Sequence, residues 1–169
     1  MIHSILLLMQ AKGSGEASLR RFLSFAVTHG EDVASAICSS AESLEREVGV
    51  KPDVARNIVE ARPTTLKIAD ELTERGVRVL WHGCPEYPER LARILLNEAP
   101  PVLFVQGNQD LLNASGIGFC GSRKASEKGL AITGRCAMQL ARDGICVVSG
   151  YAHGVDMAAH KAALENGGT

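Results

Sequence analysis

Up to about residue 62, apolar positions recur at three- and four-residue intervals. That spacing predicts helices over Ile2–Gln10, Glu16–Thr28, Asp32–Ser39, Ala41–Val48 and Pro52–Ala61. Two glycine-bearing joints interrupt them, Lys12-Gly13-Ser14-Gly15 and Gly49-Val50-Lys51-Pro52-Asp53. A Gly-x-Gly joint between helices can expose backbone N–H groups to a phosphate, as helix-hairpin-helix modules do. The simpler reading, a tight turn in which glycine supplies positive φ, is preferred because Glu16 offers nothing to an anion. The pattern changes near Arg62-Pro63, so a helical domain is expected over 1–62 and an α/β domain over 63–169.

In the second part, helical stretches alternate with short runs of β-formers. Leu66–Arg75 reads as a helix stopped by Gly76, Val77–Trp81 as a strand, Glu89–Leu96 as a short helix broken by Pro100-Pro101, and Val102–Val105 as a strand. Strands are predicted again at Ile117–Cys120 and Ile145–Val148. The helix between them should open at Ser126, a favoured N-cap residue, and end at Asp143-Gly144. Its inner face would carry Leu130, Gly134, Ala137, Met138 and Ala141, with Gly134 admitting a close approach to the sheet. The last helix sets Val155, Ala158, Ala159, Ala162 and Ala163 on one stripe and stops at Asn166-Gly167. The fold class expected is α/β, a Rossmann-like and mostly parallel sheet preceded by a small all-helical domain of the SAM or helix-hairpin-helix type.

Chemistry concentrates where these last two strands end. Gly121-Ser122-Arg123-Lys124 and Ser149-Gly150-Tyr151-Ala152-His153-Gly154 each follow an apolar run and precede a helix. A strand entering small residues and then a helix presents free N–H groups and a positive dipole end, which suits a phosphate. Neighbouring strands would place the two turns about 5 Å apart, at the edge where doubly wound sheets bind ligands. Gly121, Ser122, Arg123, Lys124, Ser149, Gly150, His153 and Gly154 are therefore the candidate DNA- or phosphate-binding residues. Arg123 can grip phosphate through two N–H donors, its alternative being a surface pair with Glu127. Ser122 and Ser149 can cap helices or bind phosphate, and Lys124 adds charge at longer range. Tyr151 is the one aromatic in these turns and a candidate stacking surface for a base.

The same residues carry a resemblance. Gly118 to Ser126, then Val148 to His160 with Ala163-Leu164, are similar to the paired signatures of the DprA/Smf family, and Glu86–Leu91 and Pro100–Gly107 resemble that family's approach to the domain. The resemblance covers about Ile58 to Thr169. It implies a non-catalytic, single-stranded DNA-binding protein of transformation and recombination, which protects incoming DNA and assists loading of a RecA-type recombinase, with a homodimer compatible. It also implies a sheet that continues beyond Gly167-Gly168-Thr169. Where the family pattern often has a basic residue this chain has His153, a weaker counter-charge when neutral. The alternative is a nucleotide-related enzyme or sensor like the LOG-type phosphoribohydrolases. Their Pro-Gly-Gly-x-Gly-Thr-x-x-Glu segment is not present, and Gly167-Gly168-Thr169 lacks both its leading proline and its acid.

Other readings are set aside on local grounds. Gly116-Ile117-Gly118-Phe119-Cys120-Gly121 spells a dinucleotide fingerprint, but its first glycines fall before or within the predicted strand, and Ser149-Gly150 stands where a ribose-binding acid would be needed. No cofactor is expected. Asp156 and His160 are one helical turn apart and could form a base with its orienting acid. The preferred reading is structural, with Asp156 steadying the helix start and His160 bonded to a nearby loop. His82 and Cys84 make too weak a motif for a metal, and Trp81 reads as core.

Composition narrows the remainder. Across 169 residues there are 18 basic and 19 acidic side chains, a formal charge of −1, so any nucleic-acid surface must be local. Hydrophobic residues make up 46%, enough for a core. The apolar cluster Ile5–Met9 is too short to span a bilayer and has no basic leader, so no membrane is expected. The cysteines Cys38, Cys84, Cys120, Cys136 and Cys146 lack a Cys-x-x-Cys spacing and are expected to be buried thiols in a reducing cytoplasm.

Overall fold

The computed structural model describes residues 1–168, so Thr169 and the final position of the Gly167-Gly168-Thr169 reading lie outside it. The chain is of the α/β class with a helical portion, and it forms two compact units, Met1–Gly107 and Asn108–Thr169.

The first unit is built around a helix that is apolar on nearly every side. In α1 (Ile2–Gln10), Ser4 to Leu8 are all buried, as a helix without a polar face requires. Around it stand α2 (Glu16–His29), α3 (Glu31–Ile37), the single turn α4 (Ala41–Ser43), α5 (Pro52–Glu60) and α6 (Arg62–Glu74). Leu19, Phe22, Leu23 and Ala26 give α2 one buried stripe, and Phe22, Ile5, Leu8, Leu44 and Ile58 are among the most enclosed side chains. The continuous helix expected over Ala41–Val48 opens after one turn into a wider π-helical segment, Leu44–Val48, which buries both Leu44 and Val48 and ends at Gly49 with φ 70°. The Lys12–Gly15 joint is a tight turn. Ser14 N–H donates to the Ala11 carbonyl (3.0 Å), Gly13 has φ 83°, and the Lys12 carbonyl accepts from the Asn57 side chain (2.9 Å).

Arg62-Pro63, where the sequence pattern changes, begins α6. Proline is accommodated in a first helical turn because the N–H it lacks would have had no partner there. The strands β1 (Val77–Trp81) and β2 (Val102–Gln106), flanking the short helix α7 (Glu89–Leu95), pair antiparallel with Val77 opposite Gln106 and Trp81 opposite Val102. Val79 enters the helical core, and Leu72, Trp81 and Val102 pack against it. The first compact unit therefore runs on to Gly107 rather than closing at residue 62, because the strand pair and the helices share one apolar interior.

In the second unit, a short 3₁₀ segment (Gln109–Asn113) leads into β3 (Gly116–Phe119), α8 (Glu127–Arg142), β4 (Cys146–Ser149) and α9 (Val155–Glu165). β3 and β4 are parallel, with Phe119 opposite Ser149, so their turns start side by side. Ser126 caps α8 as predicted, its hydroxyl accepting from Gly129 N–H at 3.2 Å. The core consists of small side chains: Ala137, Ala141, Val147, Ala159 and Ala163. Gly134 faces Ala162 of α9 rather than the sheet, and a Cβ built on it would stand 3.8 Å from the Ala162 Cβ. The close approach that small residues permit here is between two helices.

The strands form one parallel and one antiparallel pair within the expected α/β class. One further expectation is corrected. Only Cys38 and Cys84 are buried; Cys146 is half-buried, while Cys120 (at the end of β3) and Cys136 (on the outer side of α8) are exposed. Among the described residues, no helix is long and apolar enough to cross a membrane.

Candidate functional site

The two glycine turns of the second unit interlock. Gly154 has φ 94° and ψ −127°, a conformation open almost only to glycine, and a Cβ built on it would lie 2.3 Å from the Ser122 carbonyl oxygen and 2.8 Å from the Arg123 Cα. On the other side, a Cβ at Gly121 would meet the Val155 side chain at 2.7 Å. The two glycines thus let the backbones touch. Three hydrogen bonds close the contact: Val155 N–H to the Ser122 carbonyl (3.3 Å), His153 Nδ1–H to the Arg123 carbonyl (3.1 Å), and the Ser149 hydroxyl to the Phe119 carbonyl (2.7 Å).

This geometry divides the candidate residues into support and presentation. Ser149 and His153 each use one polar atom to tie the turns together, and the His153 bond places a proton on Nδ1. Neither Ser122 nor Ser149 caps a helix. The Ser122 hydroxyl instead accepts from Lys124 N–H at 3.0 Å, which curls the loop. Arg123 and Lys124 are exposed, and the pairing of Arg123 with Glu127 is not among the ion pairs of the described residues. Between 121 and 128, three cations (Arg123, Lys124, Lys128) stand against one carboxylate, Glu127, so this corner is locally basic in a chain that is nearly neutral.

One expected donor is already occupied. Gly150 N–H donates to Oδ2 of Asp156 at 3.2 Å, and Asp156 is buried. A carboxylate of the chain itself thus sits in the first turn of α9, where it also complements the helix dipole. His160 does not bond Asp156. Its Nε2 bonds the Ser149 carbonyl (3.3 Å), and its ring lies 5.5 Å from that of Tyr151 at 58°. Both side chains clamp the Ser149–Gly150 turn, in keeping with the structural reading preferred from the sequence. Sequence reasoning missed Val155, whose side chain fills the space that Gly121 leaves open. The more open of the two surfaces is therefore the first turn, Gly121–Lys124, with the second turn as its buttress.

The remaining candidates have structural surroundings. Gly116 and Gly118 are residues of β3 rather than of a loop after it, and a Cβ at Gly116 would meet Val148 at 3.0 Å, so these glycines do not form a pyrophosphate loop. His82 packs edge-on to Tyr87 with ring centres 5.3 Å apart, and Cys84 is buried beside them.

Comparison with known proteins follows from this geometry. Residues 78–169, more than half of the chain and including both glycine turns, match the profile of the family described as DNA recombination-mediator protein A. The chain belongs to this family. It is 42% identical over 82 residues to the DNA processing protein DprA of Streptococcus pneumoniae, covering 48% of this chain and 28% of that protein. It is 27% identical over 165 residues to the protein Smf of Synechocystis, covering 94% of this chain and 40% of that one. An X-ray structure of DprA from Streptococcus pneumoniae superposes with a TM-score of 0.72 at 25% identity, over 100% of this chain and 56% of the other. The chain thus spans less than half the length of these two curated relatives. Within the family match, the interlocked turns and their exposed cations form the most chemically distinctive surface of the second unit.

Proposed function

We propose that this protein binds single-stranded DNA through the paired turns of its second unit and acts without catalysis. Arg123 and Lys124 contact phosphates, backed by the free N–H groups of the first turn. The observation that carries this reading is the Gly154–Ser122 contact. Two strand ends are held so close that glycine is obligatory, and the product is a rigid, locally basic corner with an exposed arginine at its tip. Rigid placement lowers the ordering cost of binding. Asp156 and His160 each commit a polar atom to the turn and do not bond each other, which supports a binding role over general acid–base chemistry. Relatives named as DNA processing proteins support the nucleic-acid class of ligand. On this reading the protein serves DNA uptake and recombination in the cytoplasm, shielding the strand and delivering it to a RecA-type recombinase, with the helical unit adding strand or partner contacts.

Fluorescence anisotropy on a labelled oligonucleotide tests the proposal. Each phosphate neutralised on a single strand contributes about −0.7 to the slope of log K against log salt, so Arg123 and Lys124 together account for about −1.4. Binding should prefer single strands, vary little with sequence and weaken with salt. A flat salt response, or tighter binding to duplex, would reject it.

A further inference from the structure

Tyr151 holds a conformation that a residue with a side chain adopts at a cost. Its φ is 56°, and among the described residues of this unit it is the only non-glycine with positive φ. An aromatic there needs support, and the structure supplies it on both flanks. Before Tyr151, the Ser149 carbonyl accepts from His160 Nε2 (3.3 Å), Gly150 N–H donates to Asp156 (3.2 Å), and the Ser149 hydroxyl is tied to β3 (2.7 Å). After it, the Ala152 carbonyl accepts from Met157 N–H (3.1 Å), and Gly154 is wedged against Ser122. The His160 imidazole packs against the ring at a tilt of 58°, centres 5.5 Å apart, yet the residue is 61% exposed. The ring is supported by one neighbour and much of it is open.

We infer that Tyr151 is a stacking surface for an unpaired nucleobase, and that Asp156 and His160 are positioning residues that hold it there. The inference rests on the reading that these turns receive a single strand. It adds that recognition requires the base as well as the phosphate. The combination of ligand-facing groups leads to a nucleobase: an outward aromatic borders a turn whose His153 is bonded to the backbone of Arg123, so an aromatic face and a cation share one rigid frame. Single-strand sites are built from that pair of elements, and stacking accepts any base because every base has a π face. Asp156 and His160 act through the backbone. Without them the Ser149–Gly150 peptide loses both of its side-chain anchors from α9, and Tyr151 can relax to negative φ and swing its ring away.

The test compares oligo(dT) with an abasic strand of equal length and equal charge, by anisotropy at fixed salt. The wild-type protein should favour oligo(dT) by about 5- to 150-fold for one stacked base. Tyr151→Ala should bring that ratio close to one. His160→Ala and Asp156→Ala should lower it in the same way, whereas Asp156→Asn, whose amide oxygen can still accept from Gly150 N–H, should keep it. Circular dichroism checks that each variant is folded; if Asp156→Ala is not, His160→Ala and Asp156→Asn decide the matter. Equal binding of both strands by the wild-type protein would overturn the stacking role while leaving phosphate binding intact. Equal losses on both strands in the His160 and Asp156 variants would overturn the positioning role. Absence of binding to either strand would instead remove the single-strand reading on which the inference stands.

Discussion

Replacing Gly154 with alanine should push apart the two turns that form the site. The position has φ 94° and ψ −127°, where a Cβ costs about 1–3 kcal/mol of backbone strain. The added methyl would also lie 2.3 Å from the Ser122 oxygen and 2.8–2.9 Å from the Arg123 Cα and carbonyl carbon. These are backbone atoms with no rotamer to adopt, so the loops must separate, at an overpacking cost of about 1–3 kcal/mol. Separation breaks the Val155–Ser122 hydrogen bond, with a net loss of about 0.5–1.5 kcal/mol. The terms overlap, since relaxation relieves part of each, and a combined loss of about 3 kcal/mol is expected. Native stability runs at about 0.05–0.15 kcal/mol per residue, so this loss is a large fraction of what a unit of this size possesses. Hydrogen exchange read by mass spectrometry is the suitable assay, because it resolves β3, β4, α8 and α9. A loss of about 3 kcal/mol corresponds to roughly 100-fold lower protection in globally exchanging amides of those elements. Gly118→Ala is the control. It lies in β3 with open space around its Cβ position and should change protection little. If Gly154→Ala exchanges within a few-fold of wild type and binds DNA equally well, the interlock is not a structural requirement and the argument for a rigid site fails.

Arg123→Ala should weaken single-strand binding about 10-fold or more, the loss typical of a charge-assisted hydrogen bond, while Lys51→Ala in the helical unit has little effect; equal losses in the same anisotropy titration would move the site away from the turns. Gly134→Ala should raise stability by about 0.5–1 kcal/mol, because alanine is the better helix former and its methyl would meet Ala162 at an ordinary 3.8 Å. A lowered thermal midpoint would mean that α8 and α9 pack more tightly than this contact implies. Burial pushes the Cys38 thiol above its ordinary range, outweighing the opposing influence of Ser4 and Arg62. At pH 8 iodoacetamide should therefore label exposed Cys120 and Cys136 well before Cys38, and peptide mass spectrometry reads the order.

Local chemistry alone determined much of this protein. The helix over Ile2–Gln10, the strand over Val77–Trp81 and the Ser126 cap all depend on neighbours within one helical turn or one strand, so periodicity and capping rules reach them. The glycine turns were legible for the same reason, as was their resemblance to a family signature. What the sequence could not show were contacts between residues distant along the chain. Gly134 faces a helix because α8 and α9 pack through alanines, whereas its spacing placed it on an inner face and suggested an approach to the sheet. Arg62-Pro63 looked like a boundary, but Val79 carries the strand pair into the helical core and extends that unit to Gly107. The structural roles of Asp156 and His160 were legible, but that both bond the same Ser149–Gly150 turn was decided by the packing of α9 against β4. Tertiary structure alone joined Gly154 to Ser122, because a hydrogen bond or a steric limit across 32 residues is set by how β3 and β4 pair and not by any local preference.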